Sequence, residues 1–344
     1  YLPLALNWLR LSLKYRSLTL PTAVNPTIRT GGMWGESKAS YFAQLRRRDR
    51  RWIADYVVVQ RGERTALRAT VRAAIGRLGE RGIGFPVVAK PDIGWQGFGV
   101  RVVDRPAELA SYLRSFPVGA RVILQELVPF DGEAAILYAR EPGGARGSVL
   151  SLTLRYYPHV VGDGCSTVEE LMRRCPRTRW KLATYLGSDR FHHGLSRDDL
   201  ARRPARGEVV RLAFIGSARA GGLYRDASVG VTPALAGRID AIARAIPHFH
   251  YGRFDVRFAS YEALLEGRDF KIFEANGIGG EAIEIWDPER TIGAAYRTLF
   301  AQQELLFRYG HRNRLSGHRP ETMRRFARAL IEQARLIAQY PPSG

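Results

Sequence analysis

Residues 253–258 read Arg-Phe-Asp-Val-Arg-Phe, and residues 270–276 read Phe-Lys-Ile-Phe-Glu-Ala-Asn. Both runs alternate apolar and polar positions with a period near two, the pattern of a half-buried strand. Residues 261–269 leave room for a helical turn and a glycine-containing loop, so an antiparallel pair is expected. Successive side chains of a strand point to opposite faces. Arg253, Asp255 and Arg257 therefore share one face of the first strand, and Glu274 and Asn276 share one face of the second. If the two faces coincide, two carboxylates and an amide oxygen converge among arginines. Acidic residues are disfavoured inside strands, so their placement here asks for a reason. The alternative is a surface hairpin with scattered charges.

A period of 3.6 governs other stretches. Over residues 2–18, Leu2, Leu6, Leu9 and Leu13 form one helical stripe, widened by Leu4, Trp8, Leu11 and Tyr15. Asn7, Arg10, Lys14 and Ser17 mark the other side. Such a helix either lies on the protein's own core or lies in an anionic membrane interface. Leu67, Val71, Ile75 and Leu78 define an inward face over 64–79, and Leu235, Ile239, Ile242 and Ile246 do so over 233–246. Further helices are expected at 107–116, 168–174, 291–308 and 320–339, and strands at 56–59, 85–90, 100–103, 122–128, 134–139, 148–160 and 209–215. Residues 19–35 are loop, punctuated by Pro21, Pro26, Gly31, Gly32 and Gly35. Residues 173–207 read as a polar, Arg-rich insertion. It carries His192 and His193, whose adjacency points them apart and speaks against a two-histidine metal site.

Composition narrows the partners. At 344 residues the chain can build two or more lobes with cores. Cys165 and Cys175 lack the paired spacing of a zinc site, and two cysteines make no disulfide framework. No secretory signal or membrane-spanning run is present, so the expected location is cytoplasmic, peripheral to the inner face of the membrane if residues 2–18 dock there. The first residue is Tyr and not Met, which reads as a trimmed start. Net charge is +20, from 53 basic and 33 acidic residues. No aromatic-basic RNA motif, recognition helix or zinc finger accompanies that charge, so nucleic acid is not an expected partner. Phosphate-rich substrates or anionic lipid remain.

Lysine is scarce: Lys14, Lys38, Lys90, Lys181 and Lys271 are the only five. Lys90 ends an apolar strand, and Gly94, Gly97 and Gly99 follow it directly. A glycine-rich loop can turn its amides toward phosphates while the lysine supplies a point charge; the same glycines also suit an ordinary hairpin. A second glycine-rich loop spans 216–222. The oxygen set Asp255, Glu274 and Asn276 suits Mg²⁺, which keeps water and substrate phosphates among its ligands.

Taken in order, Lys38, Lys90, the glycine loop, residues 125–128, Glu133, Asp255, Glu274 and Asn276 resemble the ATP-grasp superfamily over residues 36–300. The Phe-Pro-Val-Val-Ala-Lys-Pro run at 85–91, Gly-Arg-Phe-Asp at 252–255 and Phe-Glu-Ala-Asn at 273–276 look like D-alanine–D-alanine ligases. The run from Val160 to Leu171 resembles the ATP-grasp part of cyanophycin synthetase. The resemblance implies an α+β fold in which two lobes of antiparallel sheet with helices clasp ATP, preceded by the amphipathic N-terminal helix. It divides the chain into 1–35 (helix and loop), 36–122 (first lobe with the glycine loop), 123–310 (second lobe with the metal site) and 311–344 (helical tail). It further implies that Lys38, Lys90 and the loop Gly94, Gly97, Gly99 meet the phosphates, the loop closing over them as a lid. Gln125, Glu126, Leu127 and Val128 would meet adenine, and Glu133 the ribose. Asp255, Glu274 and Asn276 would hold two Mg²⁺ ions, and Arg253, with Lys90, would act in catalysis.

The activity so implied is ADP-forming ligation of a small-molecule carboxylate to an amine through an acyl phosphate, with backbone amides after Asn276 assisting Arg253 at the oxyanion. The alternatives are an ATP-grasp phosphotransferase acting on a hydroxyl, and a non-catalytic nucleotide-binding module. A homodimer is expected from the same resemblance. Two departures stand out. Only 37 residues precede Lys38, where the dipeptide ligases have a whole domain, so part of the substrate wall would be absent or supplied by residues 25–36, by 173–207 or by a partner subunit. The loop Gly277-Ile278-Gly279-Gly280-Glu281 also differs from theirs, and its acidic end suggests an amine or cationic substrate.

Overall fold

A computed structural model of the chain describes residues 1–187 and 194–344. His192 and His193 lie outside the described residues. Among those described, eleven strands and intervening helices make an α+β protein. The strands are β1 (Tyr56–Gln60), β2 (Val87–Pro91), β3 (Arg101–Val103), β4 (Arg121–Glu126), β5 (Gly132–Ala139), β6 (Ser148–Tyr156), β7 (His159–Val161), β8 (Val209–Arg211), β9 (Leu223–Asp226), β10 (Tyr251–Phe258) and β11 (Phe270–Asn276). They form sheets ordered β1-β4-β2-β3, β11-β10-β5-β6-β9 and β7-β8. The expected strand at 209–215 is thus three residues long, and the run at 148–160 is split between β6 and β7.

The chain gathers into two compact units. One comprises Tyr1–Ala54, Val128–Leu154 and Tyr224–Arg335; the other comprises Asp55–Leu127, Arg155–Leu223 and Leu336–Gly344. In the second, the β1-β4-β2-β3 sheet is wholly antiparallel. Its alternation sends Val57, Val59, Val87, Ala89, Val122 and Leu124 to one face. There they meet Ala74 and Leu78 of the helix Leu67–Glu80 and Leu109, Tyr112 and Leu113 of the helix Pro106–Ser115. Lys90 and Gln125 fall on the opposite face by the same alternation. A second apolar cluster in this unit gathers Met172, Tyr185, Leu212 and Ile215, so the expected polar insertion shares a core, through Tyr185, with the segments that flank it. Much of the Val160–Leu171 run serves local geometry. Asp163 accepts from the amides of Cys165 and Ser166, and Thr167 with Glu170 forms a capping box at the helix Val168–Arg174.

In the first unit, β10 is antiparallel to both β5 and β11. Thr232 caps the helix Pro233–Arg244 through the Leu235 amide, and Leu235, Ile239, Ile242 and Ile246 are buried as their spacing predicts. The residues before Lys38 are not a loose leader. Asn25, with no exposed surface, donates to Gly31 O and Tyr251 O and accepts from the amides of His250 and Tyr251. This locks residues 25–32 onto the start of β10.

Candidate active site

The central expectation concerned two strand faces, and the register of β10 and β11 answers it. Asp255 stands directly opposite Glu274, and Arg253 opposite Asn276. Partners directly opposite in an antiparallel pair share a face. One face of the sheet therefore carries Asp255, Glu274, Arg253 and Asn276, while Phe254, Val256, Ile272 and Ala275 are buried. The apolar half of each strand drives burial, and the polar half is thereby held at fixed spacing.

The register shifts by one residue between Asp255 and Val256, leaving Phe273 as an extra residue in β11. Beyond this bulge Lys271 stands opposite Arg257. Strict alternation from Glu274 would have placed Lys271 on the other face; the bulge brings it round. On the far side of β10, Arg257 is opposite Glu133 of β5, with Nε and Oε2 3.9 Å apart, and Arg257 also donates to Val128 O at 3.1 Å. Glu133, Arg257 and Lys271 thus form a row beside the Asp255–Glu274 pair.

Each candidate metal carboxylate is matched by a cation. Arg253 donates to both oxygens of Asp255, at 2.7 and 3.2 Å, and to Glu281 O at 3.2 Å. Lys38, at the first turn of the helix Lys38–Ala43, reaches Glu274 at 2.6 Å. Burial opposes the lysine's charge, but Glu274, Glu36 and Asp255 outweigh it and hold its pKa above the ordinary value. Lys38 was expected only to contact phosphate; the fold sets it against the carboxylates. Behind it, buried Glu36 accepts from the Tyr41 hydroxyl and from the Gly277 amide. Burial pushes the Glu36 carboxyl up to about 7 against the pull of Lys38 and these two donors.

The glycines around this corner answer to close packing. A Cβ on Gly277 would sit 2.3 Å from Gly31 O, and one on Gly32 would sit 2.6 Å from the Gly277 Cα. Ile278 and Gly279 donate their amides to Gly31 O and Gly32 O at 3.1 and 2.9 Å, and Gly280 donates to Gly277 O. The amides from Gly277 to Gly280 are therefore occupied within the chain. That corrects the expectation that amides directly after Asn276 assist at an oxyanion. Their role is to fasten residues 31–36 beside the metal-site loop.

Among the described residues no group of three or more His, Cys, Asp or Glu is arranged to hold a metal. The candidate set has two opposed carboxylates and one amide, and the buried Nδ2 of Asn276 has no hydrogen-bond partner. An amide that turns its oxygen toward a cation relieves that orphaned position. Few, hard, oxygen-only donors fit Mg²⁺ and leave room for water and phosphate. A further buried carboxylate, unmarked by any motif, lies elsewhere in this unit. Glu284 bonds Ser151, its Oε2 is unpartnered, and burial raises its pKa; the Thr153 hydroxyl is likewise buried without a partner.

The second unit carries the other expected residues. Lys90 Nζ donates to Gln125 Oε1 at 2.7 Å, and both are buried. The Glu126 carboxylate accepts from the Asp55 amide at 3.0 Å, and Leu127 ends the first segment of this unit. Gly97 and Gly99 have φ of +76 and +71, where only glycine sits without strain. The Gly99 amide donates to Ser343 Oγ, its carbonyl accepts from the Tyr112 hydroxyl, and Ser343 Oγ donates to Gly97 O. Arg219, from the second glycine-rich loop, stacks 4.3 Å over Phe98 and donates to Gln96 O and Ser343 Oγ. The loop expected to close as a lid is thus clamped from Gln96 to Gly99. Its contacts from Arg219 and Ser343 come from residues more than a hundred positions away, which no local pattern reveals.

No family profile matches the sequence, and no curated protein sequence matches it. Solved structures do resemble it. D-alanine–D-alanine ligase from Bacillus anthracis is 14% identical, with 82% of this chain and 69% of that chain covered and a TM-score of 0.44. D-cycloserine synthetase is 17% identical, with 79% and 69% covered and a TM-score of 0.39. A bifunctional glutathione synthetase from Pasteurella multocida is 17% identical, with 73% and 34% covered and a TM-score of 0.36. The chain therefore spans about a third of that last protein's length. The three are ATP-grasp ligases.

Proposed function

We propose that the protein is an ATP- and Mg²⁺-dependent carboxylate–amine ligase of the ATP-grasp kind. The observation that carries this reading is the register that sets Asp255 against Glu274 and Arg253 against Asn276 on one sheet face, with Lys38 beside them. Asp255, Glu274 and Asn276 would hold the ion, which when bound supplies charge neutralisation for phosphoryl transfer. Lys90 would hold phosphate, Glu133 would accept from ribose hydroxyls, and residues 125–128 would lie against the base. In the reaction a substrate carboxylate oxygen attacks the γ-phosphorus and ADP leaves. The amine nitrogen then attacks the acyl carbon, inorganic phosphate departs and the amide forms. Arg253 and Lys38 would supply positive charge to the transferring phosphoryl group, and Arg253 would also stabilise the tetrahedral oxyanion. The acidic Glu281, whose carbonyl Arg253 engages, supports an amine-bearing acceptor.

The test is ADP release from Mg·ATP against pools of carboxylic acids, amines and hydroxylated acceptors, supplied singly and in pairs. Turnover that requires acid and amine together is expected, and Glu274→Gln should abolish it while leaving the far-UV spectrum intact. Turnover with a hydroxylated acceptor alone would replace ligation by phosphotransfer. Near-normal turnover in the glutamine variant would remove the metal assignment.

A further inference from the structure

The helix Leu2–Tyr15 meets the protein through a mixed side, with Leu11 and Ser12 buried and Leu4, Asn7, Trp8 and Tyr15 half-buried. Asn7 donates to Gln303 at 2.8 Å, Arg10 pairs with Glu304 at 2.6 Å, and Gln303 donates to Leu4 O. Leu11, Trp8 and Tyr15 pack around Phe307 of the helix Ile292–Leu315, with Leu20 in the same cluster. The leucine stripe faces solvent: Leu2, Leu6, Leu9 and Leu13 are 71, 58, 53 and 80% exposed. A lone exposed leucine is ordinary. Four along one helical stripe, on the side away from the buried Leu11 and Ser12, are not explained by packing on the protein's own core.

Charge identifies the occupant. Residues 1–35 contain Arg10, Lys14, Arg16 and Arg29 and no acidic residue, on a chain of net charge +20. Lys14 and Arg16 are exposed beside the stripe. The supporting helix adds Arg297, Arg308, Arg312 and Arg314; Arg10 already engages its Glu304, and Arg312 pairs with Glu141. Such a surface repels a second copy of itself and attracts negative charge. No helix among the described residues is long and apolar enough to cross a membrane. We infer that this helix docks in the plane of an anionic phospholipid bilayer, with Leu2, Leu6, Leu9 and Leu13 at the acyl boundary and Lys14 and Arg16 at the headgroups. This surface is independent of the ligase reading.

The test is co-sedimentation of the full chain with phosphatidylcholine vesicles, with and without phosphatidylglycerol, at about 0.1 M salt. Binding should need the anionic lipid and weaken as salt rises. The variant combining Leu2→Ser, Leu6→Ser, Leu9→Ser and Leu13→Ser should bind at least about tenfold more weakly. Its ATP turnover should be unchanged, because none of the four touches the site. No binding by the parent protein would overturn the inference, as would undiminished binding by the variant, which would leave surface charge as the whole cause. An oligomer that the four serines dissociate would reassign the stripe to contact between copies.

Discussion

Replacing Glu36 by glutamine should change how stability depends on pH. Glu36 is buried at the corner where residues 31–36 meet Gly277, and an amide there can still accept from Tyr41 and Gly277. Its carboxyl is raised from 4.5 to about 7, so between those pH values the folded chain keeps a proton that the unfolded chain has released. Native stability must then fall as pH rises through that window. The contribution is fully present below 4.5 and lost above about 7. With about 1.4 kcal/mol per pH unit of separation, the loss is about 3 kcal/mol. The neutral amide of the Glu36→Gln variant carries no such dependence. From pH 5 to pH 8 the stability difference should therefore move by about 2–3 kcal/mol in favour of the variant. Urea unfolding of both proteins at each pH measures this, and groups titrating elsewhere cancel in the difference. A pH-independent difference would show that Glu36 does not titrate in the window. That is also the outcome expected if Lys38 holds Glu36 ionised throughout, and it refutes the reasoning.

Two other perturbations probe the two units separately. Asn25→Ala strands the amides of His250 and Tyr251 and removes a donor from Gly31 O and Tyr251 O, and should cost about 4 kcal/mol in urea unfolding. A loss below about 1 kcal/mol would mean that residues 25–32 hold their place without it. Lys90→Met should raise the KM for ATP about ten- to hundredfold, the worth of a charge-assisted contact to phosphate, with little change in unfolding. An unchanged KM would make Lys90 a structural partner of Gln125 alone.

What the linear chain determined was local. Period two located the strands containing Asp255 and Glu274, and period 3.6 located the helices and their inward faces. The spacing of polar residues within each strand decided which side chains share a face, because pleating is a property of the backbone. Register is different, since it depends on which residues of two distant strands meet. Only the pairing of β10 with β11 set Asp255 against Glu274, and only the bulge at Phe273 turned Lys271 to that face. The glycines at 31, 32 and 277 look like loop punctuation until two backbones are seen within a methyl group of each other. In the N-terminal helix the amphipathic pattern was plain in the sequence, but its orientation was not. Asn7 and Arg10 met partners on a helix nearly three hundred residues away, and that contact left the leucines outside. Periodicity records which residues lie together on an element, whereas the outcome of competition for a surface is decided by neighbours brought close only by folding.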